Sequence, residues 1–126
     1  MTKYILIFPL CLILICCQKK DYELELCFEG MKERIGTDSV LNNIKITTID
    51  SYQTYAALIQ KVVAEETKSN KVSLIALNKF KAENDRYSLT VINLLFFQNF
   101  QAYLSHMPFN KEVAIKKALE FEMKWK

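Results

Sequence analysis

The side chains able to do chemistry in this 126-residue sequence are few and far apart. Nucleophilic catalysis needs a nucleophile, a base and an orienting group brought together in space. His106 is the only histidine, and it sits two residues before Pro108 at the end of a long apolar stretch, where it reads as an end-of-helix residue. Cys27 reads as a small core side chain. Metal binding asks for clustered His, Cys, Asp or Glu. The acidic pairs here, Glu65-Glu66 and Glu120-x-Glu122, are one and two residues apart, so on a helix they point in different directions and read as solvated faces. Gly30 and Gly36 are the only glycines, and neither belongs to a phosphate-cradling or dinucleotide motif. We therefore expect no cofactor, no metal and no enzymatic activity.

The other cysteines stand where chemistry of a different kind occurs. One lysine, Lys3, precedes an uncharged apolar run from Ile5 to Ile15, which ends at Cys16-Cys17-Gln18-Lys19-Lys20. That is the layout of a signal peptide. A spanning helix needs about 20 apolar residues, and this run is shorter and broken by Pro9. The sequence Leu14-Ile15-Cys16-Cys17 resembles the lipobox of bacterial lipoproteins, with an aliphatic residue three places before the modified cysteine. Cys16 stands where that family has Gly, Ala or Ser, which leaves Cys16 itself as an alternative acceptor. Gln18-Lys19-Lys20-Asp21-Tyr22-Glu23 resembles the lysine-plus-acid tag of surface-exposed lipoproteins of Bacteroidota, with one acid displaced by Tyr22. The resemblance implies cleavage before Cys17, a lipid on Cys17, and anchoring to the outer membrane of the cell envelope. It leaves open whether the domain faces the periplasm or the surface, and it does not extend into the folded part.

The implied division is a signal peptide over 1–16, a lipidated tether over 17–21 and a domain over 22–126. Removing the first sixteen residues leaves 110, enough for one modest core. It removes Lys3 and no acid, so the chain's 17 basic and 14 acidic residues become 16 and 14. Such near-neutrality argues against nucleic acid as the main partner, which demands a concentrated basic surface. With Cys11 and Cys16 gone and Cys17 acylated, Cys27 stands alone and no disulfide framework forms. Acylation at Cys16 would instead make a Cys17 to Cys27 bridge conceivable.

The domain has little turn punctuation, with Gly30, Gly36 and Pro108 its strongest signals, which favours helices over a sandwich or barrel. Leu24, Cys27, Phe28, Met31 and Ile35 fall at helical spacing before Gly36. Residues 22–28 also alternate in the period of a half-buried strand. A brief helical turn is expected from Thr37-Asp38-Ser39, and the β-branched residues 44–49 are ambiguous. Asp50 or Ser51 is expected to cap a helix whose apolar face is Tyr52, Tyr55, Leu58, Ile59, Val62 and Val63, with Glu65 and Glu66 set elsewhere. Asn70 caps a further segment ending near Asn84, its early part open to a strand reading. Tyr87 to His106 forms a central apolar helix. A last helix from Asn110 carries Ala114, Ala118, Phe121 and Trp125 on one face and the ladder Glu112, Lys116, Glu120 and Lys124 on another. The expected fold is a small all-α bundle of about four or five helices, with an α+β alternative having short strands near 22–28 and 44–49.

At 100° per residue, Thr90, Asn93, Gln98, Gln101 and Ser105 share a broad polar side of the central helix, into which Leu94, Phe97 and Leu104 intrude. Two readings follow. Either this helix is buried nearly all round, or the mixed surface meets a partner through Phe97 as an apolar anchor and Gln101 as its neighbouring amide. Asn99, among the apolar residues opposite, either satisfies a loop carbonyl or lines a pocket. The expected function is a lipid-anchored protein that binds a macromolecular partner through Phe97 and Gln101, an immunity-type lipoprotein being one form. The competing expectation is a module for a small apolar ligand or lipid.

Overall fold

The computed structural model describes residues 21–36 and 44–125, and these form a small all-α domain of five helices with no strand among them. Cys17 and the turn expected at Thr37-Asp38-Ser39 lie outside the described residues.

Helix α1 (Tyr22–Ile35) begins where Asp21 Oδ1 accepts the Leu24 N–H at 3.2 Å. It buries Leu24, Cys27, Phe28 and Met31, the three-and-four spacing of one helical face. The strand alternative over 22–28 fails because its other partners, Tyr22 and Leu26, face outward. Gly36 stops the helix at φ 75°, a left-handed conformation that glycine adopts without steric cost, and its N–H donates to Lys32 O at 2.8 Å.

Helix α2 (Ile49–Ser69) starts two residues earlier than a cap at Asp50 would have set it and three earlier than one at Ser51. Thr48 is the cap, and it exchanges hydrogen bonds with Ser51 in a reciprocal capping box that satisfies two otherwise orphaned N–H groups. Residues 44–47 are irregular and form no strand among the described residues. Asn70 is the whole connection to α3 (Lys71–Glu83): its N–H closes α2 on Glu66 O, and its Oδ1 opens α3 by accepting the Val72 N–H at 3.0 Å. The strand reading of α3's first residues thereby loses to a helix cap.

Ser88 caps α4 (Leu89–Leu104), which buries Val91, Ile92, Leu94, Leu95, Phe96, Phe97, Phe100 and Leu104. A helix hydrophobic all round must be covered all round, and the other elements do this. α1 runs antiparallel along α3, with Asp21 at 4.0 Å from Lys79 towards one end and Cys27 hydrogen-bonded to Ser73 towards the other. α5 (Lys111–Trp125), whose first turn is capped by Asn110, folds back along α4 so that Ser88 donates to Glu122 and Gln98 donates to Ala114 O. α4 also packs on α1 and α2. Phe28 sits in the middle of the core, its ring 5.4 Å from Phe96, 5.3 Å from Phe100 and 5.6 Å from Tyr103.

The last helix docks mainly through Ala114 and Ala118, whose small side chains let its backbone approach α4. Phe121 is half-buried with its ring 5.6 Å from Tyr52, whereas Trp125 continues the stripe with its ring 6.4 Å from Phe121 but is exposed. Leu58 likewise faces outward from α2.

Candidate functional site

Phe97 is not a surface anchor. It is 2% exposed, with its ring edge-on to Tyr55 at 5.3 Å and within 6.5 Å of Tyr52. Gln101 is half-buried, and its Nε2 donates to Ile44 O at 2.7 Å, holding the segment before α2 against α4. At Gln98 and Gln101 the polar side of α4 is thus a seam, where the two amides satisfy backbone carbonyls of neighbouring elements. The binding surface expected at Phe97 and Gln101 is corrected on that ground.

Chemistry-bearing groups do converge at one place, the junction of α1, α2 and α3. Glu66 is buried at 4% exposure. Its carboxylate accepts from Arg34 Nε at 2.7 Å, Ser73 Oγ at 3.0 Å and Asn70 Nδ2 at 3.3 Å. Arg34 also reaches Ser69. Gly30 allows this approach, since a Cβ there would stand 2.0 Å from Glu66 Oε1. The sequence reading places Glu66 on a solvated face with Glu65, yet the sequence also carries a signal for its burial. It continues the stripe Tyr55, Ile59, Val62 at intervals of four, three and four residues.

Burial alone would push the Glu66 carboxyl up; the hydrogen bond and charge of Arg34, with the bonds from Ser73 and Asn70, outweigh it and hold the group below its ordinary 4.5. A depressed folded value means the folded state binds the proton less readily than the unfolded chain. This contribution to stability is fully present above 4.5 and is lost as pH falls through the lower folded value. The unfolding midpoint should therefore drop on acidification below 4.5, and Glu66→Gln should flatten that drop. An identical acid profile for the variant would mean other carboxylates carry it.

Cys27 and Ser73, both 0% exposed, adjoin this cluster. Burial pushes the thiol up to about 11; a hydrogen bond with Ser73 lowers it somewhat, and the Glu66 charge raises it again. A carboxylate that disfavours the thiolate is the reverse of what activates a cysteine. His106 is exposed at the far end of α1, beyond hydrogen-bond reach of the cluster. Every oxygen of Glu66 is occupied by a structural partner. The arrangement locks three helices together and offers no free base or nucleophile.

Open grooves also mark the surface of the described residues. One, about 370 Å³, lies between α2, α3 and α4 and is lined by Val63, Leu77, Phe80, Leu89, Ile92 and Phe96 among others. Another, about 930 Å³, lies where the start of α1 meets the end of α4. Its walls include Leu24, Phe28, Tyr103, Met107 and Phe109, with Asp21, Glu25, Asn99 and His106. Asn99 thus lines a pocket, one of its two expected roles. His106 turns the chain at φ 55°, directing Met107 to Phe109 over this groove. Burial, and then the charges of Glu29 and Glu25 with a hydrogen bond to Glu29, raise the Tyr103 hydroxyl above its ordinary 10.0, so it stands protonated as a donor.

No protein-family model, curated protein or solved structure matches the chain. The described residues contain no group of three or more potential metal ligands and no helix long and apolar enough to cross a membrane. Any functional reading therefore rests on the residues themselves.

Proposed function

We propose that this chain is a lipid-anchored cell-envelope protein that binds a macromolecular partner without catalysis, held at the outer membrane through Cys17. The observation that carries the anchor is positional. The apolar run ends at Leu14-Ile15-Cys16-Cys17, and Asp21 already caps the first helix of the domain. A span of four residues reaches at most about 14 Å, so a lipid on Cys17 would hold the α1 end of the bundle at the bilayer. The binding role is supported by open grooves beside a core whose reactive groups are sealed. An immunity-type lipoprotein that blocks a toxin is one form such a protein takes.

Cys17→Ser should release the protein from the membrane fraction and abolish fatty-acid labelling. Labelling that survives Cys17→Ser and is lost in Cys16→Ser would move the acceptor by one residue. Retention of both properties by each variant would end the lipoprotein reading.

The α2, α3 and α4 groove favours a second reading, a module for a small apolar ligand, because its volume and apolar lining fall within the range of ligand pockets. An apolar molecule extracted from the purified protein and seen by mass spectrometry would select it.

A further inference from the structure

We propose that the end of the bundle formed by Tyr22 and the turn Met107-Pro108-Phe109 is a membrane-seating surface, laid on the headgroup region of the bilayer that holds the anchor. This rests on the reading above, that Cys17 carries a lipid. Asp21 lies four residues after Cys17, and such a stretch reaches at most about 14 Å. Asp21 caps α1, Tyr22 is the first residue of that helix, and Met107, Pro108 and Phe109 line the same groove as Asp21. A lipid on Cys17 therefore brings this end within reach of the headgroups. The opposite end, where Ser88 meets Glu122, is separated from it by the 16 residues of α4, about 24 Å of helix.

The side chains at this end suit a lipid interface. Tyr22 is 67% exposed and Met107 64%, and Leu26 continues the Tyr22 face one turn on. Tyrosine has an apolar ring with a polar tip, which places it at headgroup level. The unbranched thioether of Met107 adapts to a soft surface. Unsatisfied backbone groups resist contact with lipid, and the turn offers few: the His106 N–H donates to Tyr103 O at 3.2 Å, the Met107 N–H to Ala102 O at 2.9 Å, and Pro108 has no N–H. The acids nearby are engaged within the protein. Asp21 accepts the Leu24 N–H and lies 4.0 Å from Lys79, and Glu25 is likewise not free. Their charge still disfavours an anionic surface, so the occupant is the face of a zwitterionic bilayer.

The test uses the full chain, acylated in its host and moved into nanodiscs of zwitterionic lipid containing a nitroxide lipid whose label sits near the glycerol end of the acyl chain. A polarity-sensitive fluorophore is attached at Met107→Cys, at Tyr22→Cys or, as the far-end control, at the exposed Met123→Cys. Cys27 is buried and escapes labelling. The fluorophores at positions 107 and 22 should be quenched several-fold more than the one at 123 and should emit further to the blue. Met107→Asp, at an exposed position, sets a charge against the lipid. It should reduce the quenching at Tyr22→Cys to the level of the control, while circular dichroism shows the fold unchanged.

Equal quenching at all three positions, strong or absent, overturns the seating surface while leaving the lipid anchor intact. A fluorophore at 107 that shifts to the blue without being quenched overturns it too, since a second copy or another protein then covers the turn. Quenching at Tyr22→Cys that survives Met107→Asp removes the turn from the contact and overturns the assignment. The anchor reading fails separately, when the purified chain carries no fatty acid and does not enter the discs, and the seating surface then falls with it.

Discussion

Phe97→Ala is expected to remove about 3 to 5 kcal/mol of folding stability, the usual cost of truncating a fully buried phenylalanine. The ring is 2% exposed and packs edge-on to Tyr55 and beside Phe96 and Tyr52, so its loss opens a cavity between α2 and α4. A domain of this size has a total stability of roughly 5 to 15 kcal/mol, so the unfolding midpoint in urea should fall steeply. Phe97→Leu refills most of the volume and should lose far less. A folded Phe97→Ala variant with an unchanged midpoint would contradict the burial seen here and return Phe97 to the surface.

Gly30→Ala is expected to destabilise, reversing the ordinary sign of that change. In a helix interior alanine normally gains about 0.5 to 1 kcal/mol over glycine. Here the added Cβ would meet Glu66 Oε1 at 2.0 Å, Cδ at 2.3 Å and Oε2 at 2.7 Å. A flexible carboxylate would swing aside, but this one is buried and held by Arg34, Ser73 and Asn70. Moving it breaks charge-assisted hydrogen bonds, so a net loss of about 2 kcal/mol or more is expected. In a Glu66→Ala background the obstruction is gone, and Gly30→Ala should be neutral or gain its usual fraction of a kcal/mol. The difference between the two backgrounds measures the coupling. A stabilising Gly30→Ala in the unmodified chain would show that Glu66 is free to move.

Both results turn on how far each feature was legible before the fold was known. The helices were legible because their signals are local. Asp21, Asn70 and Asn110 bond to N–H groups two or three residues on, Gly36 ends α1 by its own backbone freedom, and the apolar positions of α1 repeat within a turn. Thr48 was missed because Asp50 and Ser51 are equally good capping types. What separates them is the reciprocal bond between Thr48 and Ser51, a matter of backbone geometry.

The candidate sites were less legible. Cys27 was readable as core, and Asn99 as a residue of two possible roles. The pairing of Phe97 with Gln101 as a surface failed because helical period says which side chains share a face and nothing about what covers it. Residue 44 lies 57 positions before Gln101, and its carbonyl is what closes that face. Trp125 keeps its face, with its ring 6.4 Å from Phe121, yet stays exposed for the same reason, since the residues α5 buries are Ala114 and Ala118.

By itself the sequence determined the all-α class and most helix boundaries, both properties of interactions spanning a few residues. Tertiary structure decided that Glu66 is buried, that Gly30 makes room for it, that Phe97 is core, and that Asp21, Tyr103 and Phe109 share one groove. These depend on which helix covers which. That choice is set by the combined burial of apolar faces far apart in the chain, and no single stretch of residues encodes it.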